Sequence, residues 1–515
     1  MHLTGAESVV RTLAAGGVEI CFSNPGTSEM HLVAAFDAVP EMRPLLCLFE
    51  GVASGAADGY GRMRDAPAAT LLHTGPGLAN ALANFHNARK AGTPVVNLVG
   101  DHTTGHRKYD APLTADVEGF ARPVSGWVRT TVRAENAARD AAEALAAARR
   151  PPGCVATLIL PADCAWGEGS EPVPVAPPPE PAGPTSQAVA DAARALRSGA
   201  SSVLLLSGRA LRERGLRYAR SIAAATGARL RSATFNSRVE RGAGRPAIPS
   251  IPYFAERAVE DLAGTQHLIL VGAQAPVAFF GYPDKPSWLA PAGCTIHALA
   301  GPSHDAGATL EVLAGELGVA PVQEPDVAPP EPAIPQGPLT AEAIHRVLAS
   351  RMPEGAIVCD EAISGGFGML PLTAGAAPHD WLQLMGGAIG QGMPLATGAA
   401  LACPDRPVVC LEADGSAMYT IQALWTQARE GLDVTTVVFA NRAYAILEVE
   451  LARVGVIPGP RARTQYELRD PELDFVALAR GHGVPASRAE TVEAFCRQLE
   501  AAFAEPGPHL IEARL

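Results

Sequence analysis

The chain has 515 residues, 48% hydrophobic and 18% charged, with 41 basic and 53 acidic side chains and a formal net charge of −12. That balance excludes the broad basic footprint that nucleic acid or an anionic membrane surface demands, while leaving room for small anions held locally by backbone amides and a metal. The length exceeds one ordinary core and implies two to four domains.

Nine cysteines stand singly, at 21, 47, 154, 164, 294, 359, 403, 410 and 496, with no C-x-x-C pair. This implies reduced, buried thiols in the cytoplasm rather than zinc or redox motifs. The N-terminal "MHLTGAESVVRTLAAGG" lacks the layout of a signal peptide and reads as an amphipathic helix, with Thr4-x-x-Glu7 as a capping box. No apolar stretch approaches the roughly 18 residues of a membrane span.

Along the chain, short apolar strands alternate with helical stretches. The first, "EICFSNPG", runs into the loop "SNPGTSE" (23–29), where Pro25 and Gly26 make the turn. The Thr27 and Ser28 hydroxyls there suit a substrate carboxylate. "CLFEGVASGAADGYGR" (47–62) sends a strand into Glu50 and then a helix rich in small residues. A carboxylate there is expensive to bury without a partner. "AATLLHTGPG" ends a strand on His73 and opens the helix that carries Asn80. "PVVNLVGDH" leads to His102, with His106 in the same loop, either of them a proton carrier or a surface histidine.

Proline-rich stretches at 169–186 and 319–338 read as extended linkers. They divide the chain into 1–168, 187–318 and 339–515. The middle block has the strands "SSVLLLSGRA" and "HLILVGAQAP", and a basic loop at 230–246 that is either solvated or a flavin contact.

In the last block, "LMGGAIGQGMPLATGAALA" (384–402) places glycines, Gly387 among them, ahead of a helix, with Ile389 and Met393 as its bulky apolar residues. "PVVCLEADGS" then ends a strand on Asp414-Gly415-Ser416, with Ser416 opening the helix "AMYTIQALWTQARE". "VTTVVFANRA" ends the next strand on Asn441, at 441 − 414 = 27. One strand–helix–strand unit thus sets a carboxylate and an amide oxygen at the same sheet edge. With the carbonyl of Ala443 they form three hard oxygen donors of the kind Mg²⁺ favours. A capping aspartate with an ordinary strand-end asparagine would show the same spacing. Continuous apolar runs ending in small or polar residues indicate an α/β protein: three domains with mostly parallel sheets flanked by helices, their ligands beyond the carboxyl ends of the strands.

The Asp414-Gly415-Ser416…Asn441 pattern resembles the cofactor motif of thiamine-diphosphate-dependent enzymes, with Ala413 where that family usually has glycine. The resemblance implies thiamine diphosphate and Mg²⁺, with Asp414, Asn441 and the Ala443 carbonyl on the metal and Ser416 on the diphosphate. It implies Ile389, or else Met393, as the residue that bends the cofactor. Glu50 becomes the carboxylate that promotes loss of the thiazolium C2 proton, at a site shared between subunits of a homodimer or tetramer. The Asn24-Pro25-Gly26-Thr27 loop and His73 resemble the benzoylformate decarboxylase branch, which implies Thr27 as the carboxylate contact and His73 as the acid/base. That branch's second histidine has no counterpart in "APVAFFGYP" (275–283), where Phe280, Gly281 and Tyr282 stand. Acetolactate synthases share the layout and bind FAD, which is not expected here. The implied activity is decarboxylation of a 2-oxo acid through an enamine. The alternatives are acetolactate synthase-like joining of that enamine to a second carbonyl, or a cofactor-binding paralogue without turnover.

Overall fold

The computed structural model describes residues 2–322 and 331–515, so positions 323–330 of the second proline-rich stretch lie outside the described residues. The first helix, Gly5–Ala15, is capped as its sequence requires: the Thr4 hydroxyl accepts from the Glu7 amide at 3.2 Å and Glu7 Oε2 accepts from the Thr4 amide at 2.8 Å.

Among the described residues, seventeen strands build three sheets. The first contains β1 (Ile20–Asn24), β2 (Arg43–Leu46), β3 (Ala68–Leu72), β4 (Val95–Asp101), β5 (Trp127–Thr130) and β6 (Val155–Pro161), all parallel, in the order β2-β1-β3-β4-β6-β5. Strands β3, β4 and β6 are buried along their whole length, because helices cover both faces. Residues 169–185 form neither helix nor strand apart from a bridge at Ala182.

The second sheet has β7 (Ser202–Leu206), β8 (Arg229–Ser232), β10 (His267–Val271) and β11 (Thr295–Ala300), parallel, in the order β11-β10-β7-β8. The third has β12 (Ile357–Glu361), β13 (His379–Gln383), β14 (Val408–Ala413), β15 (Val434–Ala440), β16 (Ala486–Ala489) and β17 (His509–Arg514). Its edge is completed by β9 (Val239–Arg241), which runs antiparallel to β13. No helix among the described residues is long and apolar enough to cross a membrane.

Strand β9 corrects the reading of 230–246 as a basic loop. Its cations are not solvated: Arg231 is bidentate to Asp261 at 2.7 and 2.8 Å, Arg238 meets Asp380 at 2.6 Å, and the Arg241 guanidinium lies 5.0 Å over the Trp381 ring. Arg231 and Arg238, outside the short strand, reach carboxylates, while Arg241 within it donates to the Leu370 carbonyl as β9 pairs with β13. A second correction concerns the helix expected from Ser416. It begins at Asp414, ends at Thr420, and resumes at Ala423 to run to Glu430.

The first and third sheets meet through the helices Glu50–Arg64 and Gly392–Ala402. These cross so closely that a Cβ on Gly59 would strike the Leu395 carbonyl, and one on Gly398 the Ala56 carbonyl. A buried ionic centre sits beside this crossing. Asp58, fully buried, accepts from Arg62 at 2.9 and 2.6 Å, from Thr93 at 2.6 Å and from Gln391 at 2.5 Å. Arg62 in turn donates to the Gln383 carbonyl at 2.7 Å. Asp58→Ala leaves a buried cation unmatched, and urea unfolding should show a loss of about 3–5 kcal/mol.

His379, at the start of β13, faces β9. Burial first, and the Arg241 guanidinium second, press its pKa from 6.5 down to about 3. The folded protein therefore binds fewer protons here than the unfolded chain between those values. This contribution is complete above pH 6.5 and is lost as pH falls toward 3. His379→Gln should make the urea midpoint fall less steeply than wild type across that window.

Candidate active site

Strands β14 and β15 are neighbours in register, Ala413 opposite Phe439, so Asp414 and Asn441 leave one sheet edge side by side. Asp414 is 2% exposed, its Oδ1 accepting from the Gly415 amide at 2.8 Å and its Oδ2 from the Arg442 amide at 2.5 Å. Arg442 takes a left-handed conformation (φ 63°) to make that contact, and Asn441 Oδ1 accepts from the Ala443 amide at 3.0 Å. Burial raises the Asp414 pKa to about 6, against the opposing pull of the two amides. A buried carboxylate with amide donors and no ion pair among the described residues is suited to a divalent cation, and an amide oxygen and a carbonyl lie within the same turn. The Tyr444 ring packs where a Cβ on Gly415 would be. Ser416 is buried in the first helical turn.

The 386–392 loop lies between both halves. Gly387 and Gly390 have φ of 74° and 92°. Glu361, at the end of β12, accepts from the amides of Gly390 at 2.8 Å and Gly392 at 2.5 Å, and Asn87 donates to the Ala388 carbonyl at 2.8 Å. Glu361 lies opposite Glu412 on β14, and burial raises the pKa of both acids, with the charge of Glu361 adding to the effect on Glu412. Ile389 is half-buried within the loop, whereas Met393 is fully buried in the core shared by the two sheets.

At the edge of the first sheet, Glu50 is the first residue of its helix, half-buried, and its Oε2 accepts from Asn80 at 3.0 Å. Beside it, β1 and β3 are neighbours, with Asn24 opposite Leu72, so the 24–29 loop meets His73. His73 Nδ1 lies 2.8 Å from Glu29 Oε2 and 3.0 Å from Ser28 Oγ, and the Ser28 hydroxyl donates to Glu29 Oε1 at 2.5 Å. The Gly26 amide, just after Pro25, also donates to Glu29, at 2.7 Å. A carboxylate against Nδ1 holds the proton on that nitrogen and leaves Nε2 without a hydrogen-bond partner among the described residues. Glu29, fully buried, escaped the sequence reading; its signal was an acid at the end of a strand-end loop. Thr27 is exposed at the loop tip, and Ser28 is the hydroxyl that engages His73. His102 is anchored through its own amide to Asp101 at 2.7 Å, with Nε2 buried and unpartnered, and its ring lies 5.4 Å from that of the exposed His106.

Both edges carry a family signature. Residues 3–122 match the N-terminal TPP binding domain of thiamine pyrophosphate enzymes, and residues 367–513 match the C-terminal TPP binding domain. A Mycobacterium tuberculosis protein named "Putative acetolactate synthase large subunit IlvX" is 53% identical over 99% of this chain and 98% of its own length. The chain belongs to the thiamine pyrophosphate (thiamine diphosphate) enzyme family. Glu50 and His73 of this thiamine pyrophosphate enzyme fall in the first matched segment, and Asp414 and Asn441 in the second. Benzoylformate decarboxylase of Pseudomonas aeruginosa is 28% identical, with 96% of each chain covered. Among solved structures, the thiamine diphosphate-dependent 4-hydroxybenzoylformate decarboxylase of Rhodococcus jostii RHA1 superposes with a TM-score of 0.86. It is 25% identical, with 99% of both chains covered.

Proposed function

We propose that this thiamine pyrophosphate enzyme decarboxylates 2-oxo acids, using thiamine diphosphate held through Mg²⁺ in the cytoplasm. The observation that carries this reading is the Glu29–Ser28–His73 set. A protein that only stores the cofactor has no use for a histidine with one nitrogen fixed by a buried carboxylate and the other left open. Asp414, Asn441 and the Ala443 carbonyl would hold the metal, and Ser416 and the 386–392 loop the diphosphate and the bend of the cofactor. Bound thiamine diphosphate supplies the electron sink for release of carbon dioxide. Glu50, steadied by Asn80, holds the proton exchanged with the aminopyrimidine. His73 holds and returns a proton through Nε2, and the Thr27 hydroxyl at the loop tip binds the substrate carboxylate. The two edges would face each other across the subunit interface of a dimer or tetramer.

A second reading, joining two carbonyl compounds, is favoured by the name of the 53% identical relative and by the lack of a histidine in 275–283. Chromatography of products from pyruvate and benzoylformate separates aldehyde from hydroxyketone and so decides between the two. A panel of 2-oxo acids with thiamine diphosphate and Mg²⁺ tests the activity itself, and no turnover of any member would overturn it. Glu50→Gln should lower kcat by about 10²- to 10⁴-fold while cofactor affinity, followed by tryptophan fluorescence, stays within about twofold. Glu29→Gln should lower kcat by about tenfold or more and shift the pH–rate profile, with little change in cofactor affinity. Asp414→Ala should abolish the thermal stabilisation produced by Mg²⁺ with thiamine diphosphate.

A further inference from the structure

The helix Ala445–Arg453 leaves the proposed metal site directly. It follows Tyr444, whose ring lies against Gly415 and whose hydroxyl is 3.4 Å from the Gly415 carbonyl. Glu450 sits six residues further on, about 9 Å along the helix axis. A wall of aromatic rings from the middle stretch meets this helix. Phe279 stands over Gly387 of the 386–392 loop, where a Cβ would come within 2.7 Å of its ring. Phe279 packs against Tyr253 and Phe280 at 5.3 and 4.8 Å, and Phe254 meets Phe367, just past the end of β12, at 5.8 Å. The 386–392 loop, the turn after β12 and the helix Ala445–Arg453 thus each meet a ring of this group.

Its polar content is uneven. Arg453 donates to Glu450 Oε2 at 2.8 Å and to Glu256 at 2.7 Å, and its guanidinium lies 4.4 Å over the Phe254 ring. That cation is fully engaged. Glu450 Oε1 is buried and has no hydrogen-bond partner among the described residues. The phenols of Tyr253 and Tyr282 lie beside this carboxylate; burial first, and Glu450 with it, raise the pKa of both. A buried carboxylate oxygen left without a donor is costly unless a ligand supplies one.

We propose that Glu450 Oε1 accepts a hydrogen bond from the far end of the substrate, so that this chain selects 2-oxo acids whose side chains end in an O–H or N–H donor. The proposal rests on the 2-oxo acid reading above and names the specificity of that same site. The aromatic wall encloses the body of such a side chain, and the carboxylate recognises its tip. Substrates matched in size but lacking the donor leave the oxygen unsatisfied and are rejected.

The test uses the full-length enzyme loaded with thiamine diphosphate and Mg²⁺, given benzoylformate and phenylpyruvate bearing either a 4-hydroxyl or a 4-methyl group. Binding is measured by calorimetry and turnover in parallel. In at least one series the hydroxylated member should be preferred by about tenfold to a hundredfold in Kd or kcat/KM. Glu450→Leu, and Glu450→Gln should the leucine variant fail to fold, should shrink that ratio toward unity. Turnover or binding with less than twofold preference in both series, or a preference that survives in a folded Glu450 variant, overturns the proposal. Preference in binding without any turnover supports the specificity and overturns the catalytic reading instead.

Discussion

Where the helices Glu50–Arg64 and Gly392–Ala402 cross, no side chain keeps their backbones apart, and the rest of the candidate site inherits its placement from that contact. One helix begins at Glu50. The other continues from the loop that carries Ile389. Because Gly59 and Gly398 face carbonyls directly, the two cannot slide without collision, and close-packed interiors transmit such constraints rather than absorb them. The Asp58 centre reinforces the arrangement by joining Arg62 of the first helix to Gln391 of the loop.

The site concentrates unfavourable burial at the sheet edges. Glu29, Glu361, Glu412 and Asp414 are all nearly inaccessible, and each meets backbone amides, hydroxyls or another acid rather than a paired cation, His73 beside Glu29 apart. Burial makes Glu361, Glu412 and Asp414 costly to ionise, and so responsive to an added positive charge or an added donor. Apolar residues alone would make a more stable edge. Retaining acids there suits chemistry in which charge and protons are moved, a use of strain and desolvation that recurs at functional sites.

Much of this was legible because chemistry and topology coincided. Asp414 and Asn441 are separated by one strand–helix–strand unit, and neighbouring parallel strands must deliver both to the same edge. Glu50 stood out as an acid at the start of a helix of small residues. Glu29 did not, because its partner His73 is 44 residues away and meets it only if β1 and β3 are neighbours. Strand order is a non-local property that periodicity does not encode. The break at Ile421–Gln422 was hidden as well: the residues suit a continuous helix, yet there Leu424 and Trp425 donate to carbonyls three residues back. Met393 illustrates the converse, a bulky apolar residue near a glycine-rich loop that belongs to the core.

The short strand β9 has a wider consequence. It is contributed by the middle stretch yet closes the edge of the third sheet, where β13 would otherwise offer an unpaired row of amides and carbonyls to solvent. The piece of chain from 187 to 318 is therefore not a removable insert: cutting it out would expose a sticky border inviting fibril-like association between copies. The middle and last segments are in effect stitched into one object by an antiparallel seam three residues long.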